Sequence, residues 1–173
     1  VSAGEVRART KRHASPRAGS KQILFGDLHV HTTFSVDAFL RSLPLVGGEG
    51  AHPPADACDC ARHCSQLDFF ALTDHAEAIS RRKWEASQGI MRQCEAITAS
   101  GNEPDLIPYM GFEWTHVGRT PEEHFGHKNV IFKDLGENDL PARPIAAPGL
   151  AQRAFTNLDA AGGLFALIKV PFL

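Results

Sequence analysis

The sequence predicts an α/β fold in which a mostly parallel sheet is covered by helices on both faces. Short apolar runs alternate with segments of helical periodicity along the chain. The apolar runs are nearly continuous, as in strands buried on both faces, rather than alternating with polar residues. Neither a Gly-x-Gly-x-x-Gly sequence nor a Walker lysine motif follows the first run, so nothing supports the nucleotide-binding versions of such sheets. An open sheet and a barrel both fit the pattern.

Each element rests on a local signal. Apolar runs predict strands over 22–28, 68–73, 106–112 and 127–133. Helical periodicity predicts helices over 55–66 and 79–100, the first with Asp56 near its start. Loops are predicted over 41–54 and 113–126. Beyond a Pro-rich stretch, the pattern predicts a helix over 149–161, ended by two glycines, and a buried strand over 164–170.

Length and composition predict one globular domain. The chain has 173 residues, of which 43% are hydrophobic and 22% charged, so it can bury one ordinary core. It contains no apolar stretch near the 18 residues or more of a membrane span. Its first residues are polar and basic, without an apolar secretory core. We therefore expect no membrane span and a cytoplasmic location.

Charge separates a basic amino-terminal segment from an acidic body. Residues 1–21 carry six Lys or Arg against Glu5 alone, whereas the remainder carries twelve basic and nineteen acidic residues. The segment 1–21 has no periodic apolar positions and is predicted to be a disordered basic lead-in. The acidic body favours a small-molecule partner over nucleic acid.

The cysteines permit two interpretations. Cys60, His63 and Cys64 are spaced as in a small zinc site, yet no second ligand pair follows at zinc-finger spacing. A cysteine in the predicted helix 55–66 also behaves as a small apolar residue that packs on the sheet. We favour this second interpretation and expect all four thiols, Cys94 included, to be reduced.

His29 and His31 follow the apolar run of the first strand. In extended backbone, side chains at positions i and i+2 project from one face, so both imidazoles can offer nitrogens to one ion or to two neighbouring ions. The spacing alone fits a hydrogen-bonded pair equally well. The other polar residues beside the strands therefore decide between these interpretations.

Further imidazoles and carboxylates lie next to the predicted strands, namely Asp37, Asp74, His75, Glu113 and His127. Residues just past the carboxyl ends of parallel strands converge in barrel enzymes and in open sheets. Mixed imidazole and carboxylate ligands suit zinc, manganese or iron, and carboxylates bridge when several ions are present. The pattern therefore predicts a multinuclear hydrolytic metal site.

Four motifs occur in order over about residues 22–133. They are GDLHVHTTFSVDA at 26–38, LTDH at 72–75, GFEWT at 111–115 and HKNVIF at 127–132. Together they resemble the PHP (polymerase and histidinol phosphatase) superfamily, and more closely its uncharacterised branch, a domain of unknown function. Four motifs in the family's order are far more specific than any one of them.

This resemblance implies a distorted seven-stranded (β/α) barrel with up to three zinc, manganese or iron ions that hydrolyses phosphate esters. The implied metal ligands are His29, His31, Asp37, His75, Glu113 as the bridging carboxylate, and His127. Of these, Glu113, His75 and Asp37 are expected to carry the catalysis. Water activated by such ions attacks without a nucleophilic side chain, and the chain has no Gly-x-Ser-x-Gly motif.

Other residues are expected beside the ligands rather than on an ion. Asp74 either caps the segment that starts near Ala76 or bonds to a ligand imidazole, and Asp27 either orients His29 or caps a turn. In the predicted loop 113–126, the candidates for phosphate or substrate contact are His116, Arg119 and, more weakly, His124. Side chains in loops are more often solvated, which is the competing interpretation for all three.

The chain departs from the family pattern at its far end. PHP proteins continue with a His-Pro and an Asp-x-His, whereas Val170 precedes Pro171 here and no histidine follows His127. A (β/α) barrel takes about 250 residues, so we expect residues 22–173 to be the amino-terminal part of such a domain. A partial barrel exposes its edges, which favours self-association. The alternative function is a catalytically inactive metal-binding or structural remnant of a PHP-like protein.

Overall fold

A computed structural model describes residues 2–4, 7, 23–50, 52–99, 104–116 and 120–147. Over these ranges the protein is mixed α/β, with three α-helices and one four-stranded sheet. The strands are β1 (Gly26–Val30), β2 (Phe69–Leu72), β3 (Ile107–His116) and β4 (Gly126–Phe132). The helices are α1 (Val36–Ser42), α2 (Pro54–Asp59) and α3 (Arg81–Thr98). Short 3-10 turns lie at Pro44–Val46, Ala76–Ala78 and Pro121–Glu123, and a π-helical turn, Cys60–Cys64, continues α2.

Some predicted elements cannot be compared with the structure. The helix over 149–161, the strand over 164–170 and nearly all of the lead-in 1–21 lie outside the described residues. None of the described helices combines the length and apolar character needed to cross a membrane.

The sheet has the order β1-β2-β3-β4. The three strands β1, β2 and β3 are parallel, as predicted, but β4 pairs antiparallel with β3. The prediction of a parallel strand is therefore wrong for β4, and so is the loop predicted from residue 113, because β3 continues to His116. Only residues 117–125 then join β3 to β4. This connection is too short for the crossover of about a dozen residues that a parallel pair needs.

The sheet curls into a half-barrel, so that its two outer strands approach each other. Asn129 Nδ2 in β4 donates a 2.9 Å hydrogen bond to the carbonyl oxygen of Leu28 in β1. A flat sheet would hold these two strands about 14 Å apart, at about 4.8 Å per neighbouring pair. Asn129 lies opposite Glu113 in the β3–β4 register, so both side chains share the concave face.

The apolar core lies between α2, α3 and the other face of the sheet. On α3 the buried positions recur every three or four residues, at Trp84, Ser87, Met91, Cys94 and Thr98. Those that are apolar pack on strand residues that are at most 3% exposed, namely Phe70, Leu72, Met110 and Phe112. The helix begins at Ser80, whose side chain accepts a hydrogen bond from the Lys83 N–H. Both helices of this core lie on one face of the sheet.

A disulfide joins the two helices of this core. Cys58 in α2 and Cys94 in α3 are bonded, with their Cα atoms 6.1 Å apart, and both side chains are buried. The expectation that all thiols are reduced is therefore wrong for this pair, because packing brings together two cysteines that lie 36 residues apart in sequence. Cys60 and Cys64 take no part in this disulfide and are exposed. The predicted helix over 55–66 is present as α2 and its π-helical continuation.

The outer edge of β1 is apolar and exposed. Among the described residues β1 pairs only with β2, and Ile23, Leu24, Phe25 and Leu28 are exposed beside this edge. Self-association through such an edge stays a prediction.

Candidate metal centre

The six predicted metal ligands lie together at one end of the sheet. The carboxyl ends of β1, β2 and β3 meet there because these strands are parallel, and the antiparallel β4 begins there. Two of the ligands lie in or directly after β1, one in α1, one directly after β2, one in β3 and one in β4: His29, His31, Asp37, His75, Glu113 and His127.

Glu113 lies at the centre of this cluster and is 2% exposed. Its Oε2 lies 3.0 Å from Nε2 of His29 and 2.8 Å from Nε2 of His31. The same oxygen lies 3.6 Å from Nε2 of His75, while Oε1 contacts Nδ1 of His127. Both oxygens of one buried carboxylate therefore face imidazoles on different strands, which is the geometry of a bridging ligand.

The cluster divides into three overlapping groups whose potential ligand atoms lie within 4.8 Å of one another. These groups are His29–His31–Glu113, His31–Asp37–His75 and His75–Glu113–His127. Three of the residues belong to two groups each, so ions held by these groups would be neighbours that share ligands. In the described part of the chain, no such group includes Cys60, His63 or Cys64.

The spacing of the potential ligand atoms suits a shared divalent cation better than direct contact between these atoms. Nε2 of His29 and Nε2 of His31 lie 2.8 Å apart, and both face the same oxygen of Glu113. Ligand atoms around tetrahedral zinc at about 2.0–2.1 Å lie about 3.3 Å from each other, a similar spacing. Asp37 Oδ1 is buried without a hydrogen-bond partner among the described residues, and a cation would satisfy it. A set of imidazoles and carboxylates without thiolates suits zinc, manganese or iron.

The electrostatics of the cluster favour positive charge. Burial raises the pKa of Glu113, but hydrogen bonds from His31 and His29 and the charge of His75 outweigh it and hold the pKa at about 2. A hydrogen bond from His75 lowers the pKa of Asp37 well below its usual range. Burial lowers the pKa of His75, yet the hydrogen bond to Asp37 and the charge of Glu113 raise it further, so the net shift is upward. Both carboxylates stay ionised, and a proton on His75 competes with a cation.

Asp74 and Asp27 lie beside the ligands. Asp74 is buried, and its carboxylate accepts hydrogen bonds from the backbone N–H and hydroxyl of Thr32 and from the hydroxyl of Ser35. It therefore connects to the His31 imidazole through Ser35, and the 3-10 turn at Ala76–Ala78 has no side-chain cap. Asp27 Oδ1 accepts from the His29 backbone N–H at 2.9 Å, where the β1–β2 register shifts. Asp27 thus holds the backbone that carries the first histidine pair.

Of the loop candidates, His116 is not brought to the cluster. His116 lies in β3 two residues beyond Trp114, on the face opposite Glu113, and its ring stacks on the indole at 5.5 Å. The ring also contacts Phe125. His116 has these aromatic neighbours because β3 extends to this residue, which was predicted to lie in a loop. His124 is exposed. Arg119 lies outside the described residues.

Sequence reasoning missed three polar side chains that contact the ligands. The Ser35 hydroxyl lies 2.9 Å from Nδ1 of His31, and the Thr115 hydroxyl lies 3.0 Å from Nδ1 of both His75 and His127. Glu77, also buried, accepts from the Thr115 backbone N–H. The signal was in the spacing: Thr115 follows Glu113 by two residues in a strand, so both share a face.

One family model matches the chain, over residues 18–100, and it describes a protein of unknown function (DUF3604). No curated protein and no solved structure matches the chain. The matched part contains four of the clustered ligands, from His29 to His75, and ends before Glu113 and His127. The chain is thus similar to this family over slightly less than half its length, in the part that supplies the first ligands.

Proposed function

We propose that the protein is a metal-dependent hydrolase of phosphate esters that belongs to the PHP superfamily, with the curled sheet forming part of a PHP-type (β/α) barrel. The observation that carries the proposal is the convergence of four imidazoles and two carboxylates in three overlapping groups around buried Glu113. The four sequence motifs that resemble the superfamily contain all six of these residues.

The ligands of this site would hold up to three zinc, manganese or iron ions. Such ions, when bound, would lower the pKa of the water bound to them toward neutral pH, and they would stabilise the charge that develops on phosphate oxygens. Glu113 directs one oxygen toward the His29–His31 pair and the other toward His127, so it fixes the spacing between neighbouring groups. Asp37 and His75 complete the side of the cluster nearest α1.

In the part of the chain that the structure describes, no side chain beside the ligands is free to act as a nucleophile. The hydroxyls nearest to the ligands, those of Ser35 and Thr115, each contact three polar groups and have no free lone pair or proton. This is consistent with attack by water rather than by a serine or threonine. A small phosphate ester, rather than nucleic acid, fits the acidic body of the chain.

The compartment is open to a direct test. The composition of the first residues suggested the cytoplasm, whereas a buried disulfide such as Cys58–Cys94 is typical of oxidising compartments. Alkylation of the protein as isolated from its native cells, under denaturing and non-reducing conditions and followed by mass spectrometry, separates the two, because unfolding exposes the buried Cys58 and Cys94 whether or not they are bonded. Two labelled cysteines place the protein in an oxidising compartment, and four place it in a reducing one.

Hydrolysis of p-nitrophenyl phosphate and bis(p-nitrophenyl) phosphate tests the proposed activity. We expect turnover by the full chain supplied with Zn²⁺ or Mn²⁺, loss of turnover with EDTA, and loss in Asp37→Asn. The matched control is Asp59→Asn at the exposed end of α2. Bound metal without turnover of either ester would contradict the hydrolase and favour an inactive metal-binding protein. Absence of bound metal would contradict both.

A further inference from the structure

We infer that Ser35 and Thr115 are positioning residues that keep a proton on Nδ1 of His31 and His75, so that Nε2 is the nitrogen that binds a cation. The inference rests on the metal site of the proposed function, but not on the hydrolysis of phosphate esters. It follows from counting the single proton and two lone pairs of each hydroxyl against the groups that surround it.

Three polar groups surround the Ser35 hydroxyl. Asp74 Oδ1 lies at 3.0 Å, the His75 backbone nitrogen at 2.9 Å and Nδ1 of His31 at 2.9 Å. The backbone N–H can only donate, so it uses one lone pair of Ser35. A carboxylate can only accept, so the Ser35 proton goes to Asp74. The remaining lone pair faces His31, whose Nδ1 must therefore carry a proton.

Asp74 is well placed to impose this direction. It is 1% exposed and also accepts from the Thr32 backbone N–H at 2.6 Å and from the Thr32 hydroxyl at 2.7 Å. The Thr32 hydroxyl is itself turned toward Asp74, because its oxygen accepts from the Phe34 N–H. All three polar hydrogens around Asp74 thus point at the carboxylate, and reversing the Ser35 hydroxyl would leave two acceptors facing each other in a buried site.

The Thr115 hydroxyl repeats this arrangement on β3. It donates to Oε1 of Glu113 at 3.3 Å, and Nδ1 of His75 lies 3.0 Å away. With its proton directed at the carboxylate, Thr115 can only accept, from Nδ1 of His75 and from Nδ1 of His127, which also lies 3.0 Å away. Oε2 of Glu77, 3.8 Å from the same Nδ1, adds negative charge that favours a proton there. In both histidines the opposite nitrogen, Nε2, faces carboxylate oxygens, those of Glu113 and, for His75, also Asp37. A cation held there would take the place of a proton on Nε2, while the proton on Nδ1 stays with the hydroxyl.

Fixing a tautomer in advance strengthens metal binding, since outer hydrogen-bond partners of ligand histidines typically contribute about 10–100-fold to affinity. The structure offers a matched pair of variants for this test. Thr115→Val removes the hydroxyl while keeping the shape of the buried side chain, and Thr115→Ser keeps the hydroxyl. Ser35→Ala removes the other hydroxyl, and Ser42→Ala, on the last turn of α1, is the control.

Long-range ¹H–¹⁵N correlation spectra of the full, ¹⁵N-histidine-labelled chain at pH 9 report which ring nitrogen carries the proton, and zinc titrations report affinity. We expect protonated Nδ1 and zinc-bound Nε2 at His31 and His75 in the zinc-loaded wild type. Thr115→Val should mix the tautomers of His75 but not those of His31, Ser35→Ala should mix those of His31, and each should weaken zinc binding about 10–100-fold. Thr115→Ser and Ser42→Ala should match the wild type.

Protonated Nε2 at His31 or His75 in the zinc-loaded wild type would overturn the inference and requires no variant to fold. Wild-type tautomers and zinc affinity in folded Thr115→Val would overturn it as well. Neither measurement involves turnover, so absence of phosphoesterase activity would contradict the proposed function and leave this result intact.

Discussion

The two faces of the sheet differ in what they bury. On the helix-covered face, buried apolar side chains and one disulfide fill the space between α2, α3 and the strands. On the concave face, Glu113 is buried among imidazoles. The contrast is sharpest within β3, where Phe112 packs in the core and Glu113, the next residue, faces the ligands. Strand alternation thus lets one segment serve stability and binding at once.

This division predicts that changes on the helix-covered face lower the free energy of unfolding and leave cation affinity nearly unchanged. Changes on the concave face should mainly lower the cation affinity and have a smaller effect on the free energy of unfolding. The variants below test it in order of decreasing effect.

Trp84→Ala should have the largest effect. The indole is fully buried, and its Nε1–H donates to the Pro141 carbonyl at 2.8 Å. Truncation leaves a large cavity, and we expect a loss of about 3–5 kcal/mol in the free energy of unfolding, measured by urea denaturation. Ile97→Ala, at an exposed position of the same helix, should stay within about 0.5 kcal/mol of wild type. A loss below about 1 kcal/mol for Trp84→Ala would show that the core lies elsewhere.

Removal of the disulfide comes next. Cys58 and Cys94 are separated by 36 residues, and a cross-link of that span restricts the unfolded chain by about 3–4 kcal/mol. The double variant Cys58→Ala/Cys94→Ala should lose about that much stability while keeping its zinc affinity when folded. Cys60→Ala/Cys64→Ala is the control, since both side chains are exposed and neither belongs to the disulfide. Equal stability of the two double variants would contradict the assignment.

Glu113→Ala tests the concave face. It removes a ligand shared by two groups, so zinc affinity measured by calorimetry should fall by at least about 100-fold, beyond the effect of losing an outer partner. Glu95→Ala, exposed on α3, should bind zinc like the wild type. Wild-type zinc affinity in Glu113→Ala would exclude a bridging role.

The pH dependence of stability should change sign when metal binds. The pKa of His75 is raised on folding, so its contribution is present below its ordinary pKa of 6.5 and is lost as pH rises through the raised value. The lowered pKa values of Asp37 and Glu113 change the stability only in acid, because the ionised carboxylates stop contributing to it as the pH falls below about 4. Between pH 6 and 9 the metal-free protein should therefore lose stability.

Zinc-loaded protein should instead gain stability over the same range, because binding requires neutral imidazoles. Urea denaturation at both pH values, with and without zinc, measures this. The metal-free His75→Gln variant should lose less stability between these pH values than the wild type. Parallel pH profiles of metal-free and zinc-loaded wild type would argue against His75 as a ligand.

Local signals predicted most of the elements. The strands β1, β2 and β3 and helix α3 begin within a few residues of their predicted positions, because apolar runs and periodic burial are properties of the segments themselves. The end of β3 was missed because Glu113 and Thr115 alternate with aromatic residues, and polar side chains on a concave face look like a loop. The direction of β4 and the Cys58–Cys94 bond depend on tertiary packing, which no local pattern contains.

The candidate ligands were predicted because imidazoles and carboxylates beside strands are uncommon and the motifs that hold them are specific. The hydroxyls of Ser35 and Thr115 were not, since serine and threonine occur everywhere and their role depends on where one proton points. His116 was predicted to lie in a loop, whereas it lies in β3, because the end of this strand was predicted too early.

The central claim is that imidazoles and carboxylates of the concave face bind divalent cations. X-ray absorption spectroscopy of the zinc-loaded chain tests it most directly, because zinc–nitrogen and zinc–oxygen distances of about 2.0–2.2 Å differ from the zinc–sulfur distance of about 2.3 Å. We predict a shell of nitrogen and oxygen with the multiple-scattering signature of at least two imidazoles. A sulfur shell would place zinc at Cys60 and Cys64 instead and would contradict the account.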